Sequence, residues 1–130
     1  MARKKSKQRD RQGPGWTVQL VGKKARRRMS DTLIEFARPE LLREGGSVRE
    51  WQFELTLASV VWNGVLTGLT TEALLKEFSE GRDPDAEFAE LIANLVRRRQ
   101  TTFAHDKRFV VAAEAYPTAD GVHVMAASVM

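Results

Sequence analysis

The chain has 130 residues, of which 42% are hydrophobic and 29% are charged, and its formal net charge is +4. These proportions predict one small globular domain and exclude a disordered or low-complexity chain, because an apolar fraction of this size can build a core. With no cysteine, the chain cannot form disulfides, thiolate zinc sites or iron–sulfur clusters, and this composition suits a reducing cytoplasm.

Positive and negative charges are unevenly distributed along the chain. Residues 1–28 hold eleven Lys and Arg against one Asp, a charge of +10, whereas the remainder holds ten basic and sixteen acidic residues, a charge of −6. We expect residues 1–15 to form a basic flexible arm and residues 16–130 to form a single domain. The candidates for contact with RNA or DNA phosphates are Arg3, Lys4, Lys5, Lys7, Arg9, Arg11, Lys23, Lys24, Arg26, Arg27 and Arg28. A solubilising tail is the alternative interpretation.

The first predicted element is a short strand over residues 16–21, where apolar and polar side chains alternate. A helix follows it, with Ser30 and Asp31 as its predicted cap. Pro39 limits this helix, because the residue before a proline is pushed out of the helical region.

The strongest local signal is a capping box formed by Ser47 and Glu50, which predicts the start of the central core helix. Its apolar face includes Trp51, Leu55 and Trp62. The opposite stripe is neutral rather than charged, and it is a candidate interface for a second copy or a protein partner: Gln52, Thr56, Ser59 and Asn63. The alternative is a partly buried helix whose small polar groups bond locally.

Two further helices are predicted. One covers residues 72–79, with Thr70 or Thr71 as its cap and Gly81 at its end. The other begins at Asp83, with Pro84 in its first turn, and runs to about residue 100. Three arginines at its end, residues 97–99, either complement the helix dipole or contact phosphate.

From Phe109 the apolar period changes from that of a helix to that of a strand, with Phe109, Val111, Ala113 and Ala115 on one face. Turn residues at 117–121 and a second alternating run predict a hairpin. The expected fold class is therefore α+β: about four helices packed on a small antiparallel sheet made of the N-terminal strand and the C-terminal hairpin.

The sequence lacks most of the motifs that identify membrane, phosphate-binding or catalytic proteins. No apolar run approaches the roughly 18 residues of a membrane span, and no apolar segment of an export signal follows the basic start. No phosphate-binding glycine loop and no nucleophile elbow occur. His105 and His123 are the only histidines, so we expect no metal site and no cofactor. A catalytic role for residues 105–108, with Glu114 nearby, is the one enzymatic hypothesis.

Residues 30–39, 61–63 and 103–109 together resemble a small bacterial domain family of unknown function. The resemblance covers most of the chain from Met29 onward. It implies a bacterial, cytoplasmic protein, and it assigns no functional residues.

The sequence leads to three functional hypotheses. The first is a non-enzymatic, nucleic-acid-associated accessory protein that uses the basic arm. The second is a protein-interaction module, a homodimer or a partner-binding domain, that uses the helix face over residues 52–63. The third is an enzyme that uses the loop over residues 105–108.

Overall fold

A computed structural model describes residues 28–80 and 82–130. These residues form an α+β fold with helices α1 (Met29–Ala37), α2 (Val48–Leu66), α3 (Thr71–Ser79) and α4 (Ala86–Thr101), followed by strands β1 (Phe109–Thr118) and β2 (Gly121–Val129). The two strands pair as an antiparallel hairpin. The predicted fold class is confirmed, while the predicted arm and the predicted strand over residues 16–21 lie outside the described residues.

Local sequence signals are sufficient to predict where α2 and α3 begin. In α2 the capping box is complete: the Glu50 amide donates to Ser47 Oγ at 3.1 Å, and the Ser47 amide donates to Glu50 Oε1 at 2.8 Å. Thr70 caps α3 by accepting a hydrogen bond from the Ala73 amide. Both predicted starts are confirmed, because each cap satisfies amides that the first turn leaves without a partner.

Two predicted caps are wrong. Helix α1 begins at Met29 after Arg28, which makes no side-chain cap, and Ser30 and Asp31 lie inside the first turn. Helix α4 takes Asp85 as its cap rather than Asp83, and the Asp85 carboxylate accepts from the Glu87 amide at 3.0 Å. Asp83 and Asp85 have the same capping chemistry, so the sequence alone could not choose between them.

The helix ends match the predictions more closely. Helix α1 stops at Ala37, two residues before Pro39, and α4 ends at Thr101. Helix α3 ends with Glu80 in the left-handed conformation at φ 52°. The predicted terminator Gly81 lies outside the described residues.

The core is centred on Trp62 of α2, which is fully buried. Its ring packs edge-on against Phe36 at 5.3 Å and Phe103 at 5.6 Å between centroids. Helix α1 packs on β2 and helix α2 on β1, so both lie on the same side of the hairpin. None of the helices in the described part of the chain is both long enough and apolar enough to span a membrane.

The hairpin is irregular at one point. A β-bulge between Val110 and Ala112 shifts the pairing register, and it places Val110 in the core while Val111 is 56% exposed. The predicted single face of Phe109, Val111, Ala113 and Ala115 is therefore wrong at its first two members, because a bulge inserts one residue and reverses the alternation. The connecting turn is also tighter than predicted, since Thr118 already pairs with Gly121.

Candidate functional site

Two of the four predicted interface residues bind the outer edge of β1. The Gln52 side chain accepts from the Ala115 amide at 2.9 Å and donates to the Ala113 carbonyl at 3.1 Å. The Asn63 side chain exchanges a similar pair of bonds, both 2.8 Å, with the amide and carbonyl of Val110. Each carboxamide thus bonds β1 as a residue of a neighbouring strand would.

The spacing of these residues explains the arrangement. Gln52 and Asn63 are eleven residues apart, which is about three helical turns, so their side chains leave α2 on the same face. Val110 and Ala113 would point to opposite edges of a regular strand. The bulge between them restores a common direction, and the whole edge of β1 then faces α2.

Pro117 fits the same pattern. It lies two residues beyond Ala115 in β1 and pairs with Val122, so its nitrogen points away from β2. Proline has no N–H to donate, and at this position the hairpin loses no ladder bond.

The other two residues of the predicted interface bond within their own helix. The Thr56 hydroxyl donates to the Gln52 carbonyl at 2.9 Å, and the Ser59 hydroxyl donates to the Leu55 carbonyl at 2.8 Å. Thr56 is exposed and Ser59 is half-buried. Binding of a partner at this stripe stays a prediction, and the amides of Gln52 and Asn63 are already used inside the chain.

A buried polar cluster joins the end of α4 to the start of β1. Arg99 is 2% exposed, and its guanidinium donates to the backbone carbonyls of Trp62, Phe103 and Asp106. It also stacks 3.8 Å from the centroid of the Trp62 ring. The indole N–H of Trp62 in turn donates to the Arg108 carbonyl at 2.7 Å.

Asp106 and Arg108 complete this cluster. Arg108 Nη2 lies 2.6 Å from Asp106 Oδ2 and 3.1 Å from the Thr32 hydroxyl. Burial alone would raise the pKa of Asp106, but the hydrogen bonds from Arg108 and the charges of Arg108 and Arg99 outweigh it, so the pKa is lowered. Burial lowers the pKa of Arg99, and the charge of Asp106 opposes this effect.

Two of the three arginines at residues 97–99 serve the fold. Arg98 donates to the carbonyls of Phe36 and Glu35 at 3.0 and 2.8 Å, and so satisfies the C-terminal end of α1. Arg99 is inside the polar cluster, and Arg97 is exposed beside Asn94. Arg98 and Arg99 thus bond carbonyls elsewhere in the chain, a role different from both predicted ones, the complement to the helix dipole and the contact with phosphate.

The residues of the enzymatic hypothesis do not converge. His105 is exposed, and the Asp106 carboxylate bonds Arg108. Glu114 lies on the hairpin opposite Met125. Among residues 28–80 and 82–130, no group of three His, Cys, Asp or Glu side chains is placed to hold a metal ion.

Of the eleven predicted phosphate contacts, only Arg28 lies within the described residues, where it is the exposed N-cap of α1. The sequence did not reveal the Arg99 cluster, because no local pattern distinguishes a buried arginine from an exposed one. No protein family, curated protein or solved structure matches the chain. A functional assignment must therefore come from the charge and geometry of the chain itself.

Proposed function

We propose that this protein is a nucleic-acid-associated accessory protein that acts by binding through its basic N-terminal residues. One observation carries the proposal: the first 28 residues have a charge of +10 and the remainder has a charge of −6. A dense block of Lys and Arg attracts phosphate backbones, and its binding releases condensed counterions.

The use of arginine in the folded part supports this division. Arg98, Arg99 and Arg108 donate to carbonyl or carboxylate groups of the chain itself. Their charge is thereby used in bonds within the chain, and acidic residues outnumber basic ones, sixteen to ten, after residue 28. The N-terminal residues are thus the part of the chain best suited to hold a polyanion.

The chemistry of the segment suggests what kind of contact it makes. Lysine and arginine neutralise phosphates in any sequence, whereas sequence is distinguished by contacts with base edges. One aromatic residue, Trp16, occurs in residues 1–28, too few for a surface of stacked bases. We therefore propose binding that depends on charge and is independent of nucleic-acid sequence.

Fluorescence anisotropy with unrelated RNA and DNA oligonucleotides, across a salt series, tests the proposal. The variant Lys4→Gln/Lys5→Gln should lower both the affinity and the slope of log K against log salt, by up to about 0.9 per lost phosphate contact on duplex DNA. The matched control is Lys76→Gln/Arg82→Gln, which removes the same charge from exposed positions of the folded part. Comparison of the two nucleic acids identifies the preferred one.

Two results would contradict the proposal. Absence of binding by the full chain at low salt would exclude a nucleic-acid role for the basic residues. Equal losses in the two variants would show that net charge, rather than the N-terminal segment, controls the interaction.

A further inference from the structure

The outer edge of β2 carries backbone groups that no other described residue bonds. Gln52 bonds the backbone of Ala113 and Ala115 on the side of β1 that faces away from β2. The residues paired with them in β2 are Ala126 and Val124. Their own N–H and C=O groups therefore point away from β1. Val122, opposite Pro117, has the same orientation. Among the described residues, no backbone or side-chain group bonds the amides and carbonyls of these β2 residues.

The two edges of the hairpin differ in how they are protected. Natural sheets shield an exposed edge with lysine, proline, bulges or a covering element. The edge of β1 has a bulge, Pro117 and the covering amides of α2. Strand β2, nine residues long, contains no proline and no Asp, Glu, Lys or Arg. Within residues 28–80 and 82–130, its edge has no hydrogen-bonded neighbour other than β1 and none of these protective residues.

The adjoining sheet face is also apolar. Val111 and Val129 are 56% and 51% exposed, and Phe109 is 38% exposed. The only charged side chain on this face of the paired strands is Glu114, opposite Met125. An apolar face next to an open edge is typical of an interaction surface rather than of a surface in contact with water.

We propose that β2 pairs antiparallel with β2 of a second copy of this chain, which joins the two hairpins into one four-stranded sheet. An antiparallel edge is self-complementary about a two-fold axis, since each outward residue both donates and accepts. With Val124 at the axis, Val122 of each copy pairs with Ala126 of the other. The lack of charge on β2 means that no like charges meet across the axis.

The decisive variant is Met125→Lys. Met125 is half-buried on the outer face, one residue from the proposed axis, so the substitution brings two lysines close together in the dimer. Within one chain the new lysine lies opposite Glu114, an opposite-charge pair that supports the hairpin. The matched control is Val111→Lys, which places the same charge on the same face but on β1, away from the edge.

The mass of the full chain is measured by light scattering or sedimentation at micromolar concentrations, with circular dichroism as a check on folding. The proposal expects a dimer for the wild-type chain and for Val111→Lys, and a monomer for Met125→Lys. His123→Lys, one residue from the proposed axis on its other side and exposed on the same face, serves as a second edge variant if Met125→Lys does not fold. The readout is mass, so its outcome is independent of nucleic-acid binding.

Other results would overturn the proposal. A monomeric wild-type chain excludes it directly. Loss of the dimer in Val111→Lys would show that the sheet face, and not the edge, is the contact. A full chain that dimerises only after Val18→Lys/Leu20→Lys would show that residues 16–21 of the same chain occupy the edge instead.

Discussion

Arg99 is a charged side chain that is nearly inaccessible to water. A buried guanidinium is tolerated when hydrogen bonds replace its lost hydration. Three backbone carbonyls, including those of Trp62 and Asp106, and the face of the Trp62 ring provide that replacement. The side chain therefore joins the core helix, the end of α4 and the start of β1 at one point.

Replacement of Arg99 by methionine should destabilise the fold by about 3 kcal/mol, because it leaves buried carbonyls without donors and removes the stacked cation. Urea unfolding followed by circular dichroism measures the change. Arg97→Met is the control: this exposed side chain contacts Asn94 only at the surface, and its loss should cost less than about 0.5 kcal/mol. Similar losses in both variants would contradict a structural role for Arg99.

Asp106 predicts a specific pH dependence of stability. Its pKa in the folded protein lies below the ordinary value of 3.8, so the folded state binds fewer protons than the unfolded state in acid. The ionised Asp106 carboxylate stabilises the folded state fully above the pKa that Asp106 has in the unfolded chain. This stabilisation is lost as the pH falls through the pKa of Asp106 in the folded protein. Urea unfolding at neutral pH and at about pH 3 should show a smaller acid loss for Asp106→Asn than for the wild-type chain. An equal decrease in the free energy of unfolding for both chains would show that other carboxylates control the loss of stability in acid.

At the scale of elements, side chains of α2 bond the outer edge of β1, as the backbone of an adjacent strand would. Asn63→Ala removes both bonds to Val110 and leaves a partly buried amide and carbonyl without partners, at a cost of about 1 to 3 kcal/mol. Ser59→Ala is the control on the same helix face, since the Ser59 hydroxyl bonds the carbonyl of Leu55 in its own helix and does not contact β1 through a hydrogen bond. We expect its effect to stay within about 0.5 kcal/mol.

Hydrogen exchange provides a local readout of the same change. The Val110 amide donates to Asn63, so it should exchange faster in Asn63→Ala, while the Ala115 amide, which donates to Gln52, keeps its protection. Unchanged exchange at Val110 would show that the strand, rather than the side chain, protects this amide.

The elements also show which features a sequence can predict. The capping box at Ser47 was predictable because both partners lie within one turn of helix. The bulge at Val110 was not, because the side chain that bonds this residue lies forty-seven residues away in the chain. The neutral character of the stripe on α2 was visible in the sequence, but its contact with β1 appears only when the strand lies beside the helix. The buried Arg99 was missed for the same reason.

At the scale of the whole molecule, the two proposals together have a measurable consequence. A dimer carries two basic N-terminal segments, and the second contact with one polyanion is then an intramolecular step with a high effective concentration. We expect Met125→Lys to weaken binding to a long oligonucleotide more than to one that accommodates a single segment. Anisotropy with two oligonucleotide lengths measures this difference. Equal weakening at both lengths would separate the dimer from nucleic-acid binding.

The covered edge of β1 also sets a limit on growth. A sheet with two open edges adds strands without end and becomes a fibre, whereas a chain with one open edge stops at a closed pair. In the proposed dimer, the side chains of Gln52 and Asn63 thus occupy the edge at which a further strand would add. In Gln52→Ala/Asn63→Ala the second edge is uncovered, and we expect time-dependent turbidity and thioflavin fluorescence under conditions in which the wild-type solution stays clear. A double variant that remains clear would mean that α2 excludes incoming strands by its bulk alone.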